Sequence, residues 1–444
     1  MDTLPLPPRP DIEQYRKRAK SLVAAAKAAD HNAVKQWSAD WLDALAKLVD
    51  VEITPFVQGS FDRAIERLNR DVAARKQKAR AASEEFSLAD AQHLIAQAHS
   101  YENWASFAQE VAALQTVSRT SAFEKAADAV VDGDLLVLDD LLKKDPELVH
   151  AHSQRQHHAT LLHYVAANGV EDFRQKTPPN AIEVAERLIA AGAKVDAIAD
   201  TYGADVYQTT MNLLVSSTHP ADAGLQHKLV EVLLDHGAAI DGLANDSSPI
   251  LTALAFGYRE SAETLARRGA TIDHVVVAAA TGRLDLVREW VVDGDTLAKE
   301  HPPYRGPAWV SIPDDPRGQI EMALAWACKF GRADVARYLL EVGVNPRAQD
   351  SNQMTALHWA SATGMLDIID MLIAGGAPLE VRNTWGGTVL DSTTWFVVNA
   401  PYPNADYQRV IEKLLQAGAD PNEVYPANTG VAEIDELLDR YRKD

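Results

Sequence analysis

Two segments of this chain repeat one another at a spacing of 33 residues, and a period of that size dictates the architecture before any single residue does. Met354-Thr355-Ala356-Leu357-His358-Trp359-Ala360 runs into Ser361-Ala362-Thr363-Gly364. Beneath it, glycine on glycine, lies Met322-Ala323-Leu324-Ala325-Trp326-Ala327-Cys328-Lys329-Phe330-Gly331. A further glycine follows each after twelve residues, Gly376 and Gly343. The segments between also coincide: Asp334-Val335-Ala336-Arg337-Tyr338-Leu339-Leu340 matches Asp367-Ile368-Ile369-Asp370-Met371-Leu372-Ile373. The same grammar recurs at 124–133, 160–169, 248–257, 273–282 and 388–397. Each unit predicts two short helices with one apolar stripe apiece, too little to bury alone. Small residues in the first helix, such as Ala278-Ala279-Ala280, let neighbouring units approach closely. Leucine pairs of the second helix fill the space between units, and a left-handed glycine ends each helix. Stacked units then share one core.

This pattern resembles the ankyrin family: a Thr-x-Leu-His-like helix start, a helix-ending glycine, a Val-x-x-Leu-Leu-like second helix and a closing Gly-Ala. The resemblance runs over about 320 residues. It implies an all-α fold, an ankyrin-repeat solenoid of about eight units over 122–444 with a polar C-terminal cap at 431–441, preceded by a helical N-terminal domain at 1–115. It also implies a concave binding groove lined by the fifth position of each first-helix motif. Those positions are Tyr164, Leu213, Thr252, Val277, Trp326, Trp359 and Ser392.

The N-terminal part reads as helices over 12–28, 32–49, 61–81 and 90–99. Asp11 after Pro10 is a natural N-cap, and Ser87 with Asp90 makes a capping-box pair. The stretch from Ala89 through Trp104-Ala105-Ser106-Phe107 resembles a small helical module that precedes ankyrin repeats in bacterial proteins. The basic run 63–80 is interleaved with Asp62, Glu66 and Asp71 and carries no stacking aromatics, so it reads as a solvated helix face and not a nucleic-acid site.

Insertions carry more functional information than the repeats, because a solenoid accepts extra residues only in its loops. Helix-to-helix loops are lengthened at 170–180, 219–225 and 399–407, and loops between units at 198–208 and 295–321. Their prolines and aromatics suit packed loops that fold over the groove and turn it into a pocket. The candidate ligand contacts are therefore Tyr164, Glu171, Arg174, Lys176, Tyr202, Asp205, Tyr207, His219 and Trp309. Trp326, Trp359, Trp385 and Trp395 would add an aromatic platform for a ring or a cation, unless they pack beneath the loops as core.

Chemistry leaves few marks. No phosphate-cradling glycine loop, serine elbow or zinc-protease motif occurs, and no cofactor is implied. Cys328 lies in a first helix, and His163 and His358 occupy the family's loop-holding position, which implies structural roles. The run His150, His152, His157 and His158 lacks flanking carboxylates or cysteines of metal-ligand type. An acid–base site is the second reading, built from Thr209, Thr210, Ser216, Ser217 and His219 beside the loop residues. Of a net charge of −20, residues 116–444 carry −19, with 28 basic against 47 acidic side chains. That field disfavours nucleic acid and anionic lipid and favours neutral or cationic partners. With one cysteine, no secretory leader and no apolar run of about 20 residues, the chain reads as cytoplasmic. The sequence thus points to a protein or peptide partner, or alternatively to an aromatic or cationic small molecule.

Overall fold

Threonine–histidine pairs and left-handed glycines punctuate the chain, and most of the described residues between them are helical. The computed structural model describes residues 4–7, 10–28, 32–49, 55–114, 119–167, 174–201, 207–307 and 309–442, and these divide into two compact units, 1–239 and 240–444. The fold is all-α. Among the described residues strand is confined to two two-stranded antiparallel hairpins, and no helix is long and apolar enough to cross a membrane.

The first unit begins with α1 (Ile12–Lys27), α2 (Ala33–Val49), α3 (Pro55–Ala81), α4 (Leu88–Ala98) and α5 (Trp104–Leu114). The Asp11 carboxylate accepts from the Glu13 N–H at 2.9 Å. Ser87 and Asp90 exchange side-chain and backbone bonds at the head of α4, so the short acid completes the box as a glutamate would. Leu22, Trp41, Leu42, Leu68, Leu94, Ile95, Phe107 and Val111 form the core. His99 is sealed inside it, 5.3 Å from both Tyr15 and Phe107. Burial pushes its pKa down to about 3, so the ring is neutral.

Repeats follow within the same unit: α6 (Arg119–Asp132), α7 (Leu135–Lys144), α8 (Leu161–Val165), α9 (Ala181–Ala190), β1 (Ile198–Asp200), β2 (Tyr207–Thr209), α10 (Thr210–Leu214), α11 (Thr218–Asp222) and α12 (Gln226–Asp235). The N-terminal helices are fastened to this stack by the loop before α8. Its Gln156 N–H donates to Ser100 O at 2.7 Å. Arg155, 1% exposed, donates to Leu4 O at 3.4 Å, lies 3.7 Å from the Glu124 carboxylate and 5.9 Å above the Tyr101 ring.

The second unit contains α13 (Ser248–Phe256), α14 (Arg259–Arg267), α15 (Val275–Thr281), α16 (Leu284–Trp290), β3 (Val291–Asp293), β4 (Thr296–Leu297), α17 (Pro316–Lys329), α18 (Ala333–Glu341), α19 (Ala356–Thr363), α20 (Leu366–Ala374), α21 (Val389–Asn399), α22 (Tyr407–Gln416) and α23 (Ala432–Tyr441). First helices stack in order, α15 on α17, α17 on α19 and α19 on α21. Ala279, Ala280, Ala323, Ala325 and Ala360 are fully buried along that seam. Leu339, Leu372 and Leu414 of the second helices are equally buried, each worth about 1.5–3 kcal/mol on transfer from water. Gly331 and Gly364 end α17 and α19 at φ +68° and +75°, a conformation a Cβ would strain. The closing helix α23 buries Ile434, Leu437 and Leu438 and leaves Glu433, Glu436 and Asp439 exposed, while Asp435 accepts from the Thr429 and Gly430 N–H groups.

The insertions are structured where described. Residues 316–321 of the 295–321 insertion are helical, extending α17 towards its N-terminus. Asp315 caps it, accepting from the Gly318 N–H at 2.8 Å, and Pro316 stands in the first turn. Residues 218–222 form α11, and 198–200 pairs with 207–209. In the 399–407 insertion, the Tyr402 hydroxyl donates to Lys329 O at 3.2 Å and the Tyr407 hydroxyl to Ala362 O at 2.8 Å. That loop therefore satisfies carbonyls at the ends of α17 and α19.

Candidate functional site

The 295–321 insertion crosses the first helices of the second unit, and each crossing point has a specific contact. His301 Nε2 accepts from the Val275 N–H at 3.0 Å, and its ring meets His274 at 5.0 Å and Trp290 at 5.4 Å. The Tyr304 hydroxyl donates to Pro307 O at 3.0 Å, and its ring packs on His274 at 5.5 Å. Gly306 lies so near α13 that a Cβ there would come within 2.3 Å of Leu251 Cδ1. The loop then delivers Trp309 against Phe256 at the end of α13, centroids 5.9 Å apart and edge to face.

Between this insertion, the end of α13, the face of α17 and the turn 350–352 lies a cleft of about 200 Å³. Phe256 and Trp309 form its outer walls, each about half exposed. Met322, Trp326, Lys329 and Asp350 line it further in. Lys329 is the unusual member, 8% exposed. Its ammonium donates to Leu254 O at 3.2 Å and Ala255 O at 3.1 Å, the terminal carbonyls of α13. It also lies 5.5, 5.4 and 5.3 Å from the ring centroids of Trp326, Phe330 and Trp359. Burial pushes its pKa down to about 8 against the pull of the Asp350 charge. Asp350 accepts from the Asn352 and Met354 N–H groups at 2.9 and 3.0 Å and from Trp359 Nε1 at 2.8 Å.

The four tryptophans do not form one platform. Trp326 and Trp359 are buried, and their faces are taken by Lys329. Trp395 stands 54% exposed, linked to Trp359 through Phe396 (5.2 and 5.9 Å). Trp385 is 73% exposed on the turn 383–387. The reason is helical geometry: Lys329 follows Trp326 by three residues and so shares its face.

In the first unit Tyr164 is buried, edge-on to Phe123 and His157 at 6.3 Å. Arg174 lies 5.6 Å above its ring and pairs with Glu124 and, at 3.2 Å, Asp128. Lys176 pairs with Asp132. These two cations of the 170–180 insertion thus bind α6. Glu171, Tyr202 and Asp205 lie outside the described residues. Tyr207 is exposed on β2, and His219 is half-buried in α11, its pKa lowered by burial. Three of the four hydroxyls considered for acid–base work serve the backbone: Thr209 caps α10, Ser216 bonds Leu213 O and Ser217 bonds Ala167 O, whereas Thr210 Oγ1 is buried with no hydrogen-bond partner among the described residues.

His163 and His358 each complete a reciprocal cap, with the Thr160 and Thr355 N–H groups donating to Nδ1 at 3.1 Å. Burial pushes both rings down to about 4. Cys328 is fully buried, and burial pushes its thiol up. His150 and His152 line a hollow of about 360 Å³ with Phe123, Glu124 and Glu147. Among the described residues no three side chains are grouped as metal ligands.

Residues 275–383 match the profile of ankyrin repeats in three copies. A stretch of 75 residues is 35% identical to the potassium channel KOR2 of rice, covering 16% of this chain and 10% of the channel. Another of 86 residues is 36% identical to mouse ankyrin repeat and SOCS box protein 16, covering 19% of this chain and 18% of that protein. The crystal structure of the human ASB11 ankyrin repeat domain aligns at 21% identity with a TM-score of 0.31, covering 66% of this chain and 96% of that one. The chain therefore carries ankyrin repeats over residues 275–383. It spans less than a fifth of the length of either of these two curated relatives.

Proposed function

We propose that this protein binds a polypeptide partner along the groove of its second unit and seats one partner side chain in the cleft between Trp309 and α17. The observation that carries this reading is the cleft itself. An insertion that the repeat stack does not need is ordered by contacts to α13 and α15, and it ends by presenting an exposed aromatic pair. A cleft of about 200 Å³ falls below the roughly 300–1,000 Å³ typical of free small-molecule sites. It has room for a side chain brought in on a chain that gains its remaining affinity along the groove. The second unit carries 29 acidic and 18 basic residues, which favours a neutral or basic segment over nucleic acid. One thiol, buried at Cys328, suits a reducing, cytoplasmic setting.

Selection of a random peptide-display library on the full chain tests this. Enriched peptides should lose about tenfold in affinity or more on Trp309→Ala, the loss expected of a central aromatic contact. The melting temperature should hold, because Trp309 is half exposed. Binders indifferent to Trp309 and Phe256 would refute the proposal.

A further inference from the structure

Resting on the reading that the cleft seats a partner side chain, we infer that this side chain is a phenol: a tyrosine in a neutral or basic segment, its ring against Phe256 and Trp309 and its hydroxyl turned to Lys329 and Asp350. The first ground is exclusion of cations. An aromatic surface beside an acidic domain invites lysine or arginine, but the inner ring faces already hold a cation. The Lys329 ammonium lies within 5.5 Å of the Trp326, Phe330 and Trp359 centroids. A second cation would meet that buried charge across a poorly screening medium, where like charges a few ångströms apart repel strongly. The second ground is the outer pair. Phe256 and Trp309 meet edge to face and are about half exposed, with Tyr258 parallel to Phe256 at 6.3 Å, so a further ring can join the cluster in the offset geometry aromatics prefer.

The third ground is the inner polar pair. Lys329 offers N–H donors, two of them spent on Leu254 O and Ala255 O. Asp350 is acceptor-only and takes three N–H bonds from its own turn and Trp359, within the roughly four lone-pair positions of a carboxylate. A donor and an acceptor lining one small cleft match a hydroxyl, which both accepts and donates. A phenylalanine would leave both unanswered, and an aspartate or glutamate would confront Asp350 and the acidic surround. The acidic excess of the unit sets the preference for basic flanks.

The test uses the full chain labelled with fluorotryptophan, the Trp309 resonance being assigned by its loss in Trp309→Phe. p-Cresol, toluene and n-butylammonium chloride are titrated separately by fluorine NMR. The expected result is a saturable shift of Trp309 with p-cresol, about threefold to tenfold tighter than toluene, as one net hydrogen bond provides, and no saturable shift with n-butylammonium. Equal affinities for p-cresol and toluene, saturable n-butylammonium binding, or no response of Trp309 to any probe would each overturn the inference. The display selection separates the two readings. Trp309-dependent peptides anchored by lysine, arginine or an aliphatic residue would sink the phenol and leave the groove standing. An absence of Trp309-dependent peptides would sink both.

Discussion

Lys329→Met gives the sharpest test of how the second unit is held together, because it removes a buried charge while keeping an unbranched apolar stem. In water the amine titrates at 10.5; in the fold, burial brings it to about 8. Below pH 8 both folded and unfolded chains are protonated there, and the folded state bears the full cost of the buried charge. Between about pH 8 and 10.5 the unfolded chain binds the proton and the folded chain releases it. Stability contributed by this site therefore rises with pH across that window. Each pH unit is worth about 1.4 kcal/mol, so the total is about 3 kcal/mol. Buried Cys328 and half-buried Tyr304, whose pKa values burial raises, pull the other way at alkaline pH. They are present in both proteins, so they cancel in the difference. The assay is urea unfolding by tryptophan fluorescence for wild type and Lys329→Met at several pH values from 7 to 10, compared as extrapolated free energies. The wild-type minus variant difference should climb with pH by about 2 kcal/mol or more. A difference flat to within about 0.5 kcal/mol would mean that the amine is solvated and the aromatic enclosure is not formed.

Trp326→Ala and Trp359→Ala should each cost about 3–5 kcal/mol in the same unfolding assay, since both rings are buried and Trp359 also donates to Asp350. In the 170–180 insertion, Arg174→Ala should lower stability by about 3 kcal/mol, because it strips Glu124 of a partner in a nearly buried pair. Lys176→Ala should change it by less than about 1 kcal/mol, its pair with Asp132 being solvated on both sides. A melting-temperature series across the two variants checks the contrast.

The repeat architecture was legible because it is written in local rules. Small residues, leucine pairs and left-handed glycines each do at one position what the sequence period says they must. Caps were legible for the same reason, down to the reciprocal bonds of Ser87 with Asp90 and of Thr355 with His358. The insertions were visible as surplus length, and the 295–321 loop does carry Trp309 to a cleft. What the pattern did not disclose is who occupies whom. The concave-position rule puts Trp326 and Trp359 in the groove but is silent on Lys329, because a lysine at a helix end is ordinarily solvated. The spacing of three residues from Trp326 was the available signal. Phe256, which precedes a helix-ending glycine, gave none, since its partner Trp309 comes from a segment far away in sequence, and Asp350 gave none because a carboxylate in a turn is ordinarily solvated. Arg174 and Lys176 showed as cations in an acidic field, yet only the fold reveals that the nearest carboxylates, on α6, claim them.

Arg155 changes how the composition boundary near residue 115 should be understood. Charge and motif both shift there, yet the guanidinium from the loop before α8 reaches back to Leu4 O and lies over Tyr101, and Gln156 donates to Ser100 O. The seam between N-terminal helices and repeats is therefore an interior, sealed around a charge. Severing the chain at 115 would bare the side of α6 that α5 covers and strip a desolvated guanidinium of its contacts to Leu4 O and the Tyr101 ring. The N-terminal helices are thus the lid that lets the stack begin, and a segment that looks separable in sequence is, in the folded molecule, the end wall of the building it adjoins.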